Sequence, residues 1–376
     1  MRSNYEIYTA MLHRKAAARG IPLSGSFELT SRCNLDCRMC YIHKRENDAK
    51  VIRNEKTARQ WIDLAKECQQ AGMLMLLLTG GEPFVRPDFR EIYEGCRKLG
   101  LMVSINSNGT LIDEDTVAFL VSNPPDRINI SLYGASKETY QALCGDAAAY
   151  DRVVRAVLGL KKAEVPVKLS FSVTPYNAQD VEAVFAFAKR YDLPIQATSY
   201  MFPPVRACEL GCYRADRLSA EEAARLRLEL ARLNTTEEEL QDRLTRQLAG
   251  KAIAGDEDEC QESGDQKIRC RAGSSTFWVT WDWQMRPCGM MTVPSEEITG
   301  QGFVQAWTKI HASRDKISVP TQCGQCDMKH VCSQCAAKCF AETGEYTGVP
   351  EYLCEMTRTY LELGRQWLKE NKQSQQ

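Results

Sequence analysis

The chain reads as an α/β protein in which repeated β/α units build a parallel sheet and a smaller cysteine-rich segment follows. Three observations predict this. Short apolar runs alternate with helix-period patterns six times between residues 26 and 200, as a parallel sheet with right-handed crossovers requires. The first apolar run leads directly into a C-x3-C-x2-C loop, Cys33-Asn34-Leu35-Asp36-Cys37-Arg38-Met39-Cys40. Nine of the 17 cysteines then fall between residues 260 and 354, where apolar runs are few, so this part is expected to be loop-rich and held by metal.

In chain order, residues 1–24 form an N-terminal helical extension stopped by Gly20 and Pro22. Residues 25–205 carry strands at 26–30, 73–79, 101–106, 127–132, 167–174 and 194–200, separated by helices at 56–71, 88–99, 113–121, 149–162 and 178–191. Six units are too few to close an eight-stranded barrel. The pattern fits an open doubly wound sheet or a curved partial barrel, and in both the ligand sits at the C-terminal strand ends. Residues 206–255 read as a helical linker. Ser219 with Glu222 makes a capping box, Leu226, Leu230 and Leu233 share a face, and Asn234-Thr235-Thr236 restarts a helix with Leu240, Leu244 and Leu248. Residues 256–376 open on the acidic loop Asp256-Glu257-Asp258-Glu259 and end in a polar tail from Lys369 that is expected to fray.

Composition narrows the class. With 44% hydrophobic and 26% charged residues and a net charge of -1, there is no basic excess for nucleic acid. No apolar run approaches the roughly 20 residues that span a bilayer, and Glu6 interrupts any secretory h-region. A cytoplasmic protein without a membrane partner is expected. Clustered cysteines in such a chain read as metal ligands in a reducing compartment. Cys68, Cys96, Cys144, Cys208 and Cys212 lie outside the clusters; the first three read as small buried apolar groups, while Cys208 and Cys212 are set apart by their spacing and stay unassigned.

The first loop sets the chemistry. Three thiolates on one tight turn, with no fourth cysteine nearby, suit a 4Fe-4S cube that leaves one iron free. A zinc site wants four closed ligands, and only His43 is at hand. After the second strand comes Thr79-Gly80-Gly81-Glu82-Pro83. Its glycines permit close backbone approach, Glu82 and exposed carbonyls offer acceptors for an ammonium group, and Pro83 stiffens the exit.

Together these motifs resemble the radical S-adenosylmethionine superfamily over residues 25–200. The resemblance implies a partial (β/α)6 TIM-like barrel and a 4Fe-4S cluster on Cys33, Cys37 and Cys40. S-adenosylmethionine would chelate the free iron, with its amino group against Gly80, Gly81, Glu82 and Pro83. One electron then cleaves the sulfonium to methionine and a 5'-deoxyadenosyl radical that takes hydrogen from substrate. Further cofactor contacts are implied for Ser131, in Asn129-Ile130-Ser131-Leu132-Tyr133-Gly134, for Arg152 and for Asn108. Met39 stands where relatives carry an aromatic residue against adenine.

The C-terminal cysteines resemble the SPASM extension, which binds up to two auxiliary 4Fe-4S clusters, making three in all. By that pattern Cys323, Cys326, Cys332 and Cys354 hold the outer cluster. Cys270, Cys288 and either Cys335 or Cys339 hold the inner one, with Cys260 a candidate fourth ligand. Trp283 replaces a glycine common five residues before the second cysteine of the extension. The implied activity is oxidative modification of a side chain in a ribosomal peptide or protein, as a thioether or carbon-carbon crosslink, with a flavodoxin- or ferredoxin-type reductant. Sulfatase maturation to formylglycine is the alternative, although Gly289 stands where that group commonly has aspartate after the cysteine. A non-catalytic iron-sulfur electron carrier is the remote alternative. Tyr133, Tyr200 and Arg206 fall at strand ends without an assigned role.

Overall fold

The computed structural model describes residues 4–42, 44–203, 206, 216–251, 268 and 270–374. His43, Cys208, Cys212, Cys260 and the acidic run 256–259 lie outside the described residues.

Six strands run parallel in sequence order: β1 (Ser24–Glu28), β2 (Met75–Thr79), β3 (Met102–Ser107), β4 (Arg127–Ser131), β5 (Val167–Ser172) and β6 (Ile195–Thr198). Each expected strand is present, shifted by one or two residues. The side chains alternate, so that in β3 Val103, Ile105 and Ser107 are buried while their neighbours are half-exposed. This period of two fixes which face each residue serves. Helices Ala58–Gln70, Phe89–Lys98, Glu114–Ser122, Ala149–Lys162 and Val181–Arg190 return the chain between strands. The first begins at a complete capping box between Thr57 and Gln60, which satisfies two N–H groups that helix geometry leaves open. Trp61, Leu64 and Cys68 from this helix enter the core.

The linker follows the sequence reading closely. Ser219 with Glu222 and Thr236 with Glu239 both form capping boxes, starting helices Ala220–Asn234 and Glu237–Leu248.

The C-terminal segment carries cysteine-rich loops, as expected, and adds two features that the sequence reading did not place. First, it extends the same sheet. Strand β7 (Thr276–Val279) pairs parallel with β1, β8 (Gln284–Arg286) pairs antiparallel with β7, and β9 (Glu296–Glu297) pairs with β8. Across the described residues the order is β9-β8-β7-β1-β2-β3-β4-β5-β6. Second, it is rich in helix. Phe303, Ala306, Trp307 and Ile310 form the buried stripe of helix Gly302–Arg314, a spacing of three and four residues that the high cysteine count obscured. Its Trp307 Nε1 donates to the Gly20 carbonyl at 2.7 Å, and Phe303 packs against Phe277 with the rings tilted by 59° and their centres 5.0 Å apart. The tail does not fray where expected: helix Glu351–Ser374 runs through Lys369 and packs along both linker helices. The N-terminal helix Asn4–Ala17 is tied to the β1–β7 seam through His13, whose ring nitrogens bond Ser275 Oγ at 2.9 Å and Ser24 Oγ at 3.2 Å. Among the described residues no helix is long and apolar enough to cross a membrane.

Candidate metal-cluster site

The chain leaves β1 into the cysteine loop, which docks on the end of helix Lys137–Cys144. Asp36 N–H donates to the Cys144 carbonyl at 3.1 Å, Arg38 N–H to the Leu143 carbonyl at 3.0 Å, and Arg38 Nε to the Ala142 carbonyl at 3.0 Å. A short parallel pairing of Arg32–Cys33 with Lys44–Arg45 closes the loop. Arg32 is held at both ends of its fork by Glu55, at 2.8 and 3.0 Å. The backbone around Cys33 is therefore fixed before any metal is present. A cavity of about 380 Å3 opens beside Cys37 and Cys40, with Asp36, Leu143 and Gly145 in its wall.

The thiols suit a cationic centre. Burial pushes the Cys33 thiol far up, and Glu82, Cys37 and Cys40 add to the shift against the Leu35 N–H. Cys37 is also raised, first by its hydrogen bond with Cys144 and then by burial. Such thiols stay protonated alone; a bound metal centre is what makes thiolates of them. Hydrogen bonds already point at Cys33 Sγ, from Leu35 N at 3.4 Å and Asn108 Nδ2 at 3.6 Å.

The Gly80-Gly81 edge lies directly against the cysteine loop. A Cβ at Gly80 would collide with the Thr30 carbonyl, and one at Gly81 with the Arg32 carbonyl. Gly81 N–H donates to the Thr30 carbonyl at 2.9 Å and Glu82 N–H to the Arg32 carbonyl at 2.8 Å. Pro83 is buried and starts a single 3-10 turn.

Several residues expected to contact the cofactor also have protein partners. The Glu82 carboxyl, expected as an ammonium acceptor, already accepts from Asn108 N at 2.6 Å, Ser107 Oγ at 2.9 Å and Phe84 N at 3.1 Å. It pins the end of β3. Asn108 spends its amide on Cys33 and on Asn34 Oδ1 at 3.0 Å, and its Oδ1 on Thr110, so its observed work is bracing the loop. Ser131, at the end of β4, is half-buried near the Tyr133 hydroxyl. Arg152 pairs with Asp146 at 2.5 Å and is one-third exposed. Met39 is half-buried against the core beside Cys33 and Cys40.

Burial raises the Glu82 carboxyl to about 7, against lowering by its three donors. The folded chain thus keeps this proton where the unfolded chain, titrating near 4.5, has lost it. In metal-free protein its contribution is greatest below 4.5 and is lost as pH rises to about 7. The Glu82→Gln protein lacks this slope. The measurement is the difference in denaturant midpoint between the two proteins across that range; the opposite slope from His13, whose burial lowers it to about 4, cancels in the difference.

The C-terminal thiols fall into two neighbourhoods. Cys288 lies in the field of Cys270 and Cys335, and burial raises its thiol to about 12. Cys354 lies in the field of Cys332 and Cys326. One cavity of about 250 Å3 is lined by Cys270, Cys323, Cys326, Cys332, Cys335 and Cys354. Cys335 reaches this cavity from the N-cap of helix Ala336–Thr343. Cys339, one turn on, is fully buried outside it and accepts from Gln334 Nε2 at 3.3 Å.

Between the two cysteine regions lies a charged group that the sequence reading missed. Glu28, at the end of β1, is fully buried; its carboxylate takes both arms of Arg206, at 2.5 and 2.7 Å, and Trp278 Nε1 at 2.6 Å. Arg206 also lies over the Tyr41 ring, 5.6 Å from its centre, and reaches the Gly289 carbonyl at 3.4 Å. The signal available was a lone carboxylate inside the apolar run Phe27-Glu28-Leu29.

Residues 27–188 match the model of the Radical SAM superfamily. Over 334 residues the chain is 28% identical to the AdoMet-dependent heme synthase of Methanosarcina barkeri, covering 85% of this chain and 93% of that one. A probable GTP 3',8-cyclase of Saccharolobus islandicus is 37% identical over 158 residues, 41% of this chain and 48% of the cyclase, so that likeness spans about half of the relative. Among solved structures, SuiB of Streptococcus suis bound to precursor peptide SuiA superposes with a TM-score of 0.65 at 17% identity, covering 94% and 82% of the two chains. Native anSMEcpe with AdoMet and the Cp18Cys peptide gives 0.67 at 20% identity, covering 94% and 99%. These structures share the fold, and with it the partial barrel expected from the cysteine loop and the Gly80-Gly81 edge.

Proposed function

We propose, from the match of residues 27–188 to the Radical SAM superfamily, that the chain is a radical S-adenosylmethionine enzyme that oxidises a side chain of a peptide or protein, closing a thioether or carbon-carbon crosslink. Cys33, Cys37 and Cys40 would hold one 4Fe-4S cluster, with S-adenosylmethionine between it, the Gly80–Pro83 edge, Ser131, Asn108, Arg152 and Met39. Cys323, Cys326, Cys332 and Cys354 would hold an outer cluster. Cys270, Cys288 and Cys335 would hold an inner one, with Cys260 as candidate fourth ligand; Cys335 is favoured over Cys339 by its place on the cavity wall. When bound, the first cluster supplies the electron that cleaves S-adenosylmethionine to methionine and a 5'-deoxyadenosyl radical, and the radical takes hydrogen from substrate.

The observation that carries this reading is the nearness of the two cysteine regions: Arg206 lies over the ring of Tyr41, which follows Cys40, and reaches the carbonyl of Gly289, which follows Cys288. Crosslinking releases one more electron and one proton after hydrogen is taken, and the Cys270, Cys288 and Cys335 group lies where that electron can leave. The peptide-bound forms of SuiB and anSMEcpe support a peptide as substrate. A flavodoxin or ferredoxin would supply the first electron. The described cysteines are all free thiols, as a reducing cytoplasm keeps them.

A second reading has its own support. The relative matched over most of its length is named for heme synthesis, which points to a tetrapyrrole side chain. The maturase alternative is disfavoured on packing: a Cβ at Gly289 would sit 2.9 Å from the Trp278 ring, so an aspartate there would displace the tryptophan that holds Glu28.

Anaerobic turnover of reconstituted protein with S-adenosylmethionine and dithionite tests the proposal. The expected products are 5'-deoxyadenosine and, from short cysteine-containing peptides encoded beside this chain, a mass lower by two hydrogens. Loss of carbon dioxide from an iron porphyrin bearing propionates would move the assignment to the second reading. Absence of 5'-deoxyadenosine would leave only the electron carrier.

A further inference from the structure

Glu28 has one guanidinium partner, yet two guanidinium groups share its face. Ser26 of β1 stands opposite Trp278 of β7, and Trp278 stands opposite Arg286 of β8. Residues opposite each other in a ladder share a face, as do residues two apart on a strand. Glu28, Trp278 and Arg286 therefore project to the same side of the sheet, and Trp278 Nε1 reaching Glu28 at 2.6 Å confirms it. The carboxylate of Glu28 is fully engaged by Arg206 and Trp278.

Arg286 is left with a long contact from Nε to Ser295 Oγ at 3.4 Å, and its Nη1 is buried with no partner among the described residues. Asp282 is nearby but solvent-exposed, and it accepts from Thr280 Oγ1 at 2.5 Å. The other groups around Arg286 are Arg206, Glu28 and Tyr346. A guanidinium does not escape by deprotonation, so among the described residues this face carries one guanidinium more than its carboxylate can pair. The surplus stands two residues before Cys288 and beside the Arg206–Tyr41 contact.

We propose that Arg286 is a substrate-binding residue that takes a carboxylate of the substrate, placing it between the cysteine loop and Cys288. A carboxylate matches the planar donor fork in charge and in geometry, whereas a peptide carbonyl would leave the charge uncompensated. On a peptide this is an aspartate or glutamate side chain or the C-terminal carboxylate; on a tetrapyrrole it is a propionate. The inference rests on the reading that the strand ends hold the substrate.

The test uses the reconstituted holoprotein and its Arg286→Gln variant. Affinity selection from a random decapeptide library on wild type is expected to enrich acidic residues or a free C-terminus at least about tenfold over selection on Arg286→Gln. In parallel, an iron porphyrin with four propionates and its methyl ester are titrated by tryptophan quenching. A tenfold acid preference that Arg286→Gln abolishes in this arm instead assigns the carboxylate to a tetrapyrrole. Preference for the acid in neither arm, or preference that survives Arg286→Gln, overturns the proposal. Cleavage of S-adenosylmethionine by wild type, measured in the same preparation, reports separately on the radical reading.

Discussion

Replacing any one of Cys33, Cys37 or Cys40 by alanine is expected to abolish formation of 5'-deoxyadenosine, by three orders of magnitude or more on the scale typical of losing an essential group (~10³ or greater). The loop has no fourth cysteine in sequence, and its backbone is fixed by Leu143, Cys144 and Arg32 contacts. The fold should survive, since the loop is held by backbone hydrogen bonds that alanine retains. Iron content and far-ultraviolet circular dichroism of the three variants check both statements. Cys144, within hydrogen-bond reach of Cys37, is the control: retention of activity in Cys37→Ala would mean that Cys144 can take its place.

Glu28→Ala is expected to be the most destabilising single change at the β1–β7 seam, by about 3–5 kcal/mol. The substitution strands Arg206, whose side chain is 9% exposed, in a site where the carboxylate is fully buried, and it frees the buried Trp278 N–H as well. Leaving a buried charge unpaired costs more than removing the pair together. The double variant Glu28→Leu with Arg206→Met should therefore recover much of the loss. Urea midpoints of the single and double variants decide this; equal destabilisation would show that packing, and not charge, dominates.

What was legible in the sequence was local. Alternating apolar residues placed β1 to β6, and Ser219-to-Glu222 spacing marked a helix start that the structure reproduces as a capping box, because both are decided within a few residues. The cysteine loop and the Gly80-Gly81 edge were legible because their chemistry is crowded into short motifs, and the structure packs one on the other. The union of β7 with β1 was not, since pairing Ser24 with Thr276 is a long-range choice that no local pattern encodes. The same distance hid Glu28: its partners lie 178 and 250 positions away. Glu82 and Asn108 lie beside the cysteine loop, but their hydrogen-bond partners are set by tertiary geometry. That geometry turns Glu82 toward β3 and Asn108 toward Cys33.

The β1–β7 pairing also imposes an order on biosynthesis. The ribosome delivers β1 early, and β2 can join it within some fifty residues, but its other edge has no neighbour until Thr276 has emerged. During that interval an unpaired strand edge, the feature that nascent chains most need to shield, borders the cysteine loop. Folding of the first six strands can precede emergence of the seam partners Trp278 and Arg286. Emergence of β7 and β8, and not synthesis of the barrel, is then the step that completes the site.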